Sequence, residues 1–316
     1  MRLFLGIDGG QSTTTAVIGD EAGCVIGAGR GGPCNHVKTS EGRERFLSAI
    51  GDCVRGACAA AALDPATVHF EVACGGFSGG PADKEALLGE LIRADRIRTT
   101  NDAVIALSGA NHGDPAIIVI AGTGSICCGR NSSGKYVRAG GWGYIFGDEG
   151  GAFDITRQAL RAVLRHEEGW GPPTSLRDTL LAETGAASAD SLMHLFYTPE
   201  FPRRRVAAYA KLVDEAALSG DSVARNILLN AAQGLATLAA SVREQLFGDE
   251  EEAFVAYIGG VFRSGIVLAR FRMLMELGEN ARIGEPRMSP AAGALIDAYR
   301  LAGLQVVPTH LPEPEK

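Results

Sequence analysis

The sequence predicts an α/β protein made of two duplicated lobes, and two observations support this prediction. Strand and helix patterns alternate along most of the 316 residues, which is typical of an α/β fold. A pattern of three short strands joined by two turns begins near residue 3 and returns near residue 116. Because a duplicated unit explains this repeat, we expect two similar lobes with a cleft between them.

The first lobe opens with the first of these β-meanders. Its strands are predicted at Leu3–Asp8, Thr14–Ile18 and Cys24–Ala28, because each run is rich in apolar residues and is bounded by turn residues. Ser40 is a suitable cap for an amphipathic helix that Asp64-Pro65 would end. The remaining elements predicted for this lobe are a strand at Val68–Ala73, a loop at Gly75–Gly80, a helix at Ala82–Arg93 and a strand at Ile97–Thr100.

The second lobe repeats the meander and continues with a long helical region. The strands are predicted at Ala116–Ala121, Ile126–Arg130 and Lys135–Arg138. Helices follow from Asp148 to about Phe247, with breaks where Gly and Pro interrupt the pattern. These breaks are Gly169–Pro173, Gly185, Pro199–Pro202 and Gly220. The last predicted elements are a strand at Ala253–Ile258, a helix at Ser264–Leu277, a strand at Ala281–Gly284 and a helix at Pro290–Ala302.

Composition and charge exclude several classes of protein. With 46% hydrophobic and 21% charged residues, the chain can bury a sizeable core. The net charge of −7 argues against nucleic acid as a partner, because phosphate binding needs a basic face. No run of 18 apolar residues and no signal-peptide pattern occurs, so we expect a cytoplasmic protein without membrane spans. The seven cysteines lack metal-binding spacing, which favours reduced thiols.

A glycine pair follows the first predicted strand, in the run Asp8-Gly9-Gly10-Gln11-Ser12-Thr13-Thr14. Glycine allows a phosphate to approach the backbone closely, and backbone N–H groups and the three hydroxyls can donate to its oxygens. Asp8 at the strand end could hold a hydrated Mg²⁺. The run could also be an ordinary hairpin turn.

The equivalent turn of the second meander has the same character. It reads Gly122-Thr123-Gly124-Ser125 and follows the strand that ends at Ala121. Either turn alone could be a simple hairpin. Two such turns at equivalent positions of a duplicated fold favour a shared polyphosphate ligand.

Asp102 is the candidate catalytic base. It follows the carboxyl end of a predicted strand, where α/β folds place their ligands. A carboxylate at this point could accept the proton of an attacking hydroxyl. The alternative is that Asp102 only caps the helix predicted to begin at Ala103.

A glycine-dense loop at Gly140–Gly150 is the candidate sugar site. Trp142 offers an amphipathic wall, and Asp148 can accept hydrogen bonds from sugar hydroxyls or can cap the following helix. Gly259-Gly260, between a strand and a helix, would suit a backbone that lies against an adenine or ribose, although it could be a plain turn.

Taken together, these motifs resemble those of the N-acetylglucosamine kinases, a group within the BadF/BadG/BcrA/BcrD-type ATPases of the sugar kinase, actin and heat-shock chaperone superfamily. The resemblance covers Leu3 to about Leu304, and its most specific element is the run Gly-Gly-Trp-Gly-x-x-x-Gly-Asp-Glu-Gly at 140–150. It implies two lobes of ribonuclease H-like (actin-like ATPase) fold, with the nucleotide in the cleft. It further implies domains at 1–114 and 115–289, the first completed by the C-terminal helix, about 290–316.

The resemblance also implies roles for single residues. Asp102 would deprotonate the 6-hydroxyl of N-acetylglucosamine. The residues that would bind ATP are Gly9, Gly10, Gln11, Ser12, Thr13, Gly122, Thr123, Gly124, Ala217, Gly259 and Gly260. Those that would bind the sugar are Asn35, Asp102, Ser125, Ile126, Gly141, Trp142, Gly143 and Asp148. Ile126 stands where other members often have a polar residue.

The expected function is therefore ATP- and Mg²⁺-dependent phosphorylation of a small sugar by a homodimer. A kinase for glucosamine or another hexose is the alternative within the same class. An ATP-driven activator of acyl-CoA dehydratases or reductases is a further alternative, but such relatives bind an iron–sulfur cluster through cysteines of the second half, and no cysteine follows Cys128. A sugar-responsive regulator would need an added DNA-binding domain.

Overall fold

The computed structural model describes residues 1–34, 40–79, 83–277 and 280–311. The chain divides into two compact units: the first comprises Met1–Ala116 and Pro286–Lys316, and the second comprises Ile117–Glu285. Each unit has its own five-stranded sheet and its own apolar core.

The elements of the chain up to the second meander are β1 (Leu3–Gly9), β2 (Thr14–Asp20), β3 (Val25–Gly31), α1 (Ser40–Ala60), β4 (Phe70–Phe77), α2 (Lys84–Gly89), β5 (Ala94–Asn101) and α3 (Asp102–Ala110). Those that follow are β6 (Ala116–Ala121), β7 (Ser125–Arg130), β8 (Tyr136–Gly140), α4 (Ala152–Glu167), α5 (Leu176–Thr184), α6 (Ala189–Leu195), α7 (Arg203–Ala208), α8 (Ala210–Leu218), α9 (Ser222–Leu246), β9 (Ala253–Ile258), α10 (Gly265–Glu276), β10 (Ala281–Gly284) and α11 (Pro290–Leu301), with a 3₁₀ turn at Gly260–Arg263.

The sheet of the first unit has the order β3-β2-β1-β4-β5. The meander strands β1, β2 and β3 are antiparallel, whereas β4 is parallel to both β1 and β5. Along β1, Leu5 and Ile7 point into a core that α1 covers, and Phe4 points into a core that α11 covers. Gly6 allows α11 to approach, because a Cβ there would lie 2.5 Å from the carbonyl oxygen of Ala291.

The sheet of the second unit has the order β10-β9-β6-β7-β8. Here β9 is parallel to β6 and β10, and β7 is antiparallel to β8. Its core is formed by the strands and by the apolar faces of α4, α8, α9 and α10, including Leu228, Leu235 and Phe271. Counted along each unit, both sheets have the order third-second-first-fourth-fifth. The predicted α/β fold with two duplicated lobes is therefore confirmed.

Two predicted boundaries in the first unit are wrong. Gly75 and Gly76 belong to β4 rather than to a loop, because β4 is paired with a parallel strand on each side as far as Phe77. A Cβ at Gly76 would lie 2.4 Å from Ile105, so packing requires a glycine inside this strand. The helix predicted at Ala82–Arg93 ends at Gly89, and β5 begins five residues later, at Ala94.

The predicted breaks in the helical region of the second unit coincide with helix ends. Gly185 adopts a left-handed conformation and caps the C-terminus of α5. Asp221 follows Gly220 and caps the N-terminus of α9. Within the described ranges, none of the helices combines the length and hydropathy that a membrane span requires.

Asp221 holds two segments of the second unit together. Its Oδ1 accepts from the backbone N–H groups of Val223 and Ala224, at 2.9 Å each. Its Oδ2 accepts from the Thr174 hydroxyl at 2.8 Å and from the Ser175 backbone at 2.7 Å. Burial raises the pKa of Asp221, but these hydrogen bonds outweigh burial and hold the pKa below its usual value.

We expect Asp221→Ala to lower the free energy of unfolding by about 1–2 kcal/mol at neutral pH, because an N-cap is lost. A carboxylate with a lowered folded-state pKa stabilises the protein above its unfolded pKa, and the stabilisation is lost as pH falls through the folded pKa. Urea unfolding at neutral and strongly acidic pH should therefore show a difference from wild type that shrinks in acid. Glu250→Ala, at an exposed position, is the control. A difference that persists unchanged in acid would contradict the assignment.

Candidate active site

Three parallel strands of the first unit bring the predicted base Asp102 and the predicted metal ligand Asp8 to one edge of the sheet. In the register of β1, β4 and β5, Gly9 pairs with Phe77, and Phe77 pairs with Asn101. The residues next to these positions, Asp8, Ser78 and Asp102, therefore lie at neighbouring carboxyl ends, which is where α/β sheets bind ligands.

Asp102 is not the cap of α3. Asn101 occupies the N-cap position, and its side chain accepts from the backbone N–H of Val104. Asp102 is the first residue of the helix; its Oδ1 accepts from the Ala103 N–H at 2.9 Å, and its Oδ2 accepts from the Ser78 hydroxyl at 2.5 Å. The alternative role as N-cap is wrong, because the preceding asparagine already satisfies the helix terminus. The carboxylate is instead held in a fixed orientation at the strand end.

Asp8 lies close enough to Asp102 for the two charges to interact. Burial, and secondarily the charge of Asp102, raise the pKa of Asp8 to about 7. A divalent cation would stabilise the ionised form of Asp8 against burial and against repulsion by Asp102. A carboxylate oxygen is a suitable ligand for Mg²⁺. Among the described residues, no group of three or more His, Cys, Asp or Glu side chains could hold a metal alone. Asp8 therefore fits a hydrated Mg²⁺ that takes its other ligands from water and phosphate.

A buried lysine completes this edge. Lys84, the first residue of α2, is 2% exposed, and its Nζ donates to the carbonyl oxygen of Ser78 at 2.9 Å. Nζ also lies 5.4 Å from the ring centroid of Phe77. Burial lowers the pKa of Lys84, whereas the charges of Cys34 and Asp102 raise it. Sequence analysis missed both Ser78 and Lys84, because neither lies in a recognisable motif.

The turn after β1 exposes part of the predicted phosphate motif. Gln11, Ser12 and Thr13 are exposed. Thr14 is different, because it is buried and its hydroxyl donates to the Gly32 carbonyl at 2.7 Å, which removes it from the predicted phosphate donors. Gly9 has a packing role, since a Cβ there would lie 2.2 Å from the Phe77 ring.

The corresponding edge of the second unit is formed by β6 and β9. Gly122-Thr123-Gly124 follows β6, and Gly259-Gly260 follows β9, its parallel neighbour. A Cβ at Gly122 or Gly260 would meet no atom within 4 Å in the described parts of the chain. The first N–H groups of α4 are used to fix the first turn, since Ala152 and Phe153 donate to the carbonyls of Gly122 and Thr123.

The glycine-dense loop presents Trp142 and encloses Asp148. Trp142 is 68% exposed, and the Arg138 guanidinium lies 4.4 Å from its ring centroid. Asp148 is 4% exposed, has a φ of 63° and forms an ion pair with Arg203. It is not the cap of α4, because that helix begins at Ala152 with Gly151 as N-cap. The prediction of a helix starting at Asp148 is therefore wrong.

The other predicted sugar and nucleotide residues have varied positions. Ser125 is buried at the start of β7, and its hydroxyl donates to the Glu149 carbonyl at 2.6 Å. Ile126 packs beneath Gly141, where a Cβ would lie 2.7 Å from its side chain. Ala217 is buried in α8 within the core of the second unit. Asn35 lies outside the described residues. Their ligand-binding roles stay predictions.

Comparisons with known proteins identify the same family that the sequence motifs resemble. The model of the BadF/BadG/BcrA/BcrD ATPase family matches residues 5–298. A protein of Clostridium acetobutylicum named N-acetylmuramic acid/N-acetylglucosamine kinase is 31% identical over 306 residues, which are 94% of this chain and 98% of the relative. A Dictyostelium discoideum protein named N-acetyl-D-glucosamine kinase is 32% identical over 314 residues, with 93% and 97% covered.

A solved structure has a similar fold over most of its length. It comes from Chromobacterium violaceum and is provisionally named an N-acetylglucosamine kinase. Its TM-score is 0.72 at 25% sequence identity, and the match covers 94% of this chain and 98% of that one.

The two glycines after β9 provide a matched pair for mutation. Gly259 has φ 118° and ψ 163°, and a Cβ there would lie 2.2 Å from the Ala121 carbonyl oxygen. We expect Gly259→Ala to lower the free energy of unfolding by about 1–3 kcal/mol, because only glycine adopts this conformation easily. Gly260→Ala, whose Cβ meets open space, should leave the thermal unfolding midpoint unchanged. Equal midpoints for the two variants would refute this reading of the turn.

Proposed function

The chain belongs to the BadF/BadG/BcrA/BcrD ATPase family, and on this premise we propose that it is an ATP-dependent kinase that phosphorylates the 6-hydroxyl of N-acetylglucosamine. Membership confirms the resemblance inferred from the motifs and implies the use of ATP. The two relatives that align over almost their whole length, both named as N-acetylglucosamine kinases, support the sugar.

The observation that carries the catalytic part of the proposal is the environment of Asp102. Its carboxylate lies at a strand end, with one oxygen on the Ala103 N–H and the other on the Ser78 hydroxyl. A general base needs a fixed orientation, because its oxygen must lie within hydrogen-bond reach of the hydroxyl whose proton it accepts. Asp102 would accept the proton of the sugar hydroxyl as that oxygen attacks the terminal phosphate.

The remaining residues would position the reactants and exclude water. Phosphoryl transfer passes through a loose transition state, so alignment and neutralisation of charge provide most of the catalysis. Backbone N–H and hydroxyl groups in the turn at 10–13 and in the turn at 122–124 would donate to ATP phosphates, and Gly260 would contact the nucleoside. Asp8 would hold Mg²⁺, which supplies neutralisation of the phosphate charge when bound.

Trp142 and Asp148 would provide the sugar site. An exposed indole ring offers a flat apolar surface next to polar groups, and a buried carboxylate can accept from a hydroxyl. Ser125 and Ile126 lie beside this loop through Glu149 and Gly141, which supports their predicted place near the sugar.

Two alternative functions follow from specific observations. The Clostridium relative is named for two different sugars, so a broader amino-sugar specificity is the alternative within the kinase class. An activator of acyl-CoA dehydratases is disfavoured, since no cysteine follows Cys128 to bind an iron–sulfur cluster. A homodimer and a cytoplasmic location stay predictions.

The substrate is tested by measuring ADP release with Mg²⁺ and ATP against N-acetylglucosamine, N-acetylmuramic acid, glucosamine and glucose. We expect the highest kcat/KM for N-acetylglucosamine, with phosphorus coupled to the protons of carbon 6 in the NMR spectrum of the product. A phosphate on another carbon would contradict the proposed position. ATP hydrolysis that no sugar stimulates would favour the activator.

The base is tested with Asp102→Asn. This variant keeps the shape of the side chain but cannot accept the proton, so kcat should fall by about 10²- to 10⁴-fold while the unfolding midpoint stays near that of wild type. Asp95→Asn, at an exposed position on the strand that precedes Asp102, is the matched control and should keep wild-type kcat. A kcat near wild type in Asp102→Asn would remove this residue from the mechanism.

A further inference from the structure

A buried ion pair connects the glycine-dense loop to a helix far along the chain. Asp148, at the end of that loop, accepts from the guanidinium of Arg203, the first residue of α7. The guanidinium carbon lies 5.3 Å from the ring centroid of Tyr144 and 6.0 Å from that of Phe153. Arg203 therefore interacts with the loop through its ion pair with Asp148 and through a cation–π contact with Tyr144.

The same pair lies against the turn that follows β6. A Cβ at Gly124 would be 2.3 Å from Asp148 Oδ2 and 2.5 Å from Arg203 Nη2. Glycine at this position thus leaves the space that the pair occupies. As a result, the carboxylate and the guanidinium both lie against the turn at 122–124.

The conformation of Asp148 requires such support. Its φ of 63° is unusual for a residue other than glycine and costs free energy unless the surroundings fix it. Its side chain is only 6% exposed, and a buried carboxylate without a partner is strongly destabilising. Arg203, which is 36% exposed at its side chain, supplies the compensating charge.

We infer that Arg203 is a positioning residue for the sugar. It occupies one oxygen of Asp148 and fixes the carboxylate so that the other oxygen can accept a sugar hydroxyl. This inference rests on the proposed function. It adds a residue from α7, outside every motif of the sequence, and it assigns to Arg203 an effect on sugar binding rather than on proton transfer.

The test compares the steady-state kinetics of Arg203→Met, Arg203→Lys, Asp148→Asn and the double variant Asp148→Asn/Arg203→Met. Arg203→Met should raise the KM for N-acetylglucosamine by about 10- to 100-fold, because a displaced carboxylate loses its geometry. The KM for ATP and kcat should change much less. Arg203→Lys keeps the charge and should recover part of the loss. Arg204→Met, at the exposed neighbouring position, should behave as wild type.

The double variant separates positioning from general damage. If Arg203 acts through Asp148, removing both should cost no more sugar affinity than Asp148→Asn alone. The double variant also leaves no buried charge unpaired, so it provides the comparison with Asp148→Asn even where Arg203→Met is too unstable to measure. Additive losses in the double variant would overturn the inference.

The two proposals can fail separately. An unchanged sugar KM in Arg203→Met, with wild type active on N-acetylglucosamine, would overturn the role of Arg203 alone. A wild-type protein that phosphorylates no amino sugar would overturn the proposed function, and the role of Arg203 with it.

Discussion

The parallel pairing of strands is the constraint on which the candidate residues of each unit depend. In the first unit, β4 lies between β1 and β5 and is parallel to both, so the side chains that follow these strands meet at one edge. In the second unit, the parallel pair β6 and β9 brings the turns at 122–124 and 259–260 together in the same way. Residues far apart in sequence become neighbours because strand direction, rather than chain distance, determines where each strand ends.

Charged groups at these edges are held by specific partners. Asp102 accepts from the hydroxyl of Ser78, and Lys84 donates to the carbonyl of that same serine, so one residue links a carboxylate and an ammonium group. Asp148 is compensated by Arg203. Because an uncompensated buried charge is costly, the pairing with Arg203 keeps Asp148 in place before any ligand binds, and two hydrogen bonds orient Asp102. Preorganisation of this kind suits a reaction in which alignment provides most of the catalysis.

The glycines of the candidate motifs serve two different purposes. At Gly9, Gly124 and Gly259 a Cβ would collide with Phe77, with the Asp148–Arg203 pair and with the Ala121 carbonyl respectively. These glycines therefore allow the site to assemble. A Cβ at Gly122 or Gly260 would meet only open space among the described residues, which suits close approach of a ligand to the backbone. A glycine-rich motif thus combines structural and binding roles that the sequence alone does not separate.

The sequence by itself determined the duplicated α/β fold, the family and the candidate base. Strand periodicity, turn residues and the order of the motifs are local patterns, and local patterns can be recognised from a single sequence. Tertiary structure decided which groups surround those motifs. Asn101 rather than Asp102 caps the helix terminus, and the Asp102 carboxylate is instead oriented by Ser78, which follows another strand. Lys84 and Arg203 were invisible in the sequence because they lie outside the motifs, and only packing brings Lys84 to the Ser78 carbonyl and Arg203 to Asp148.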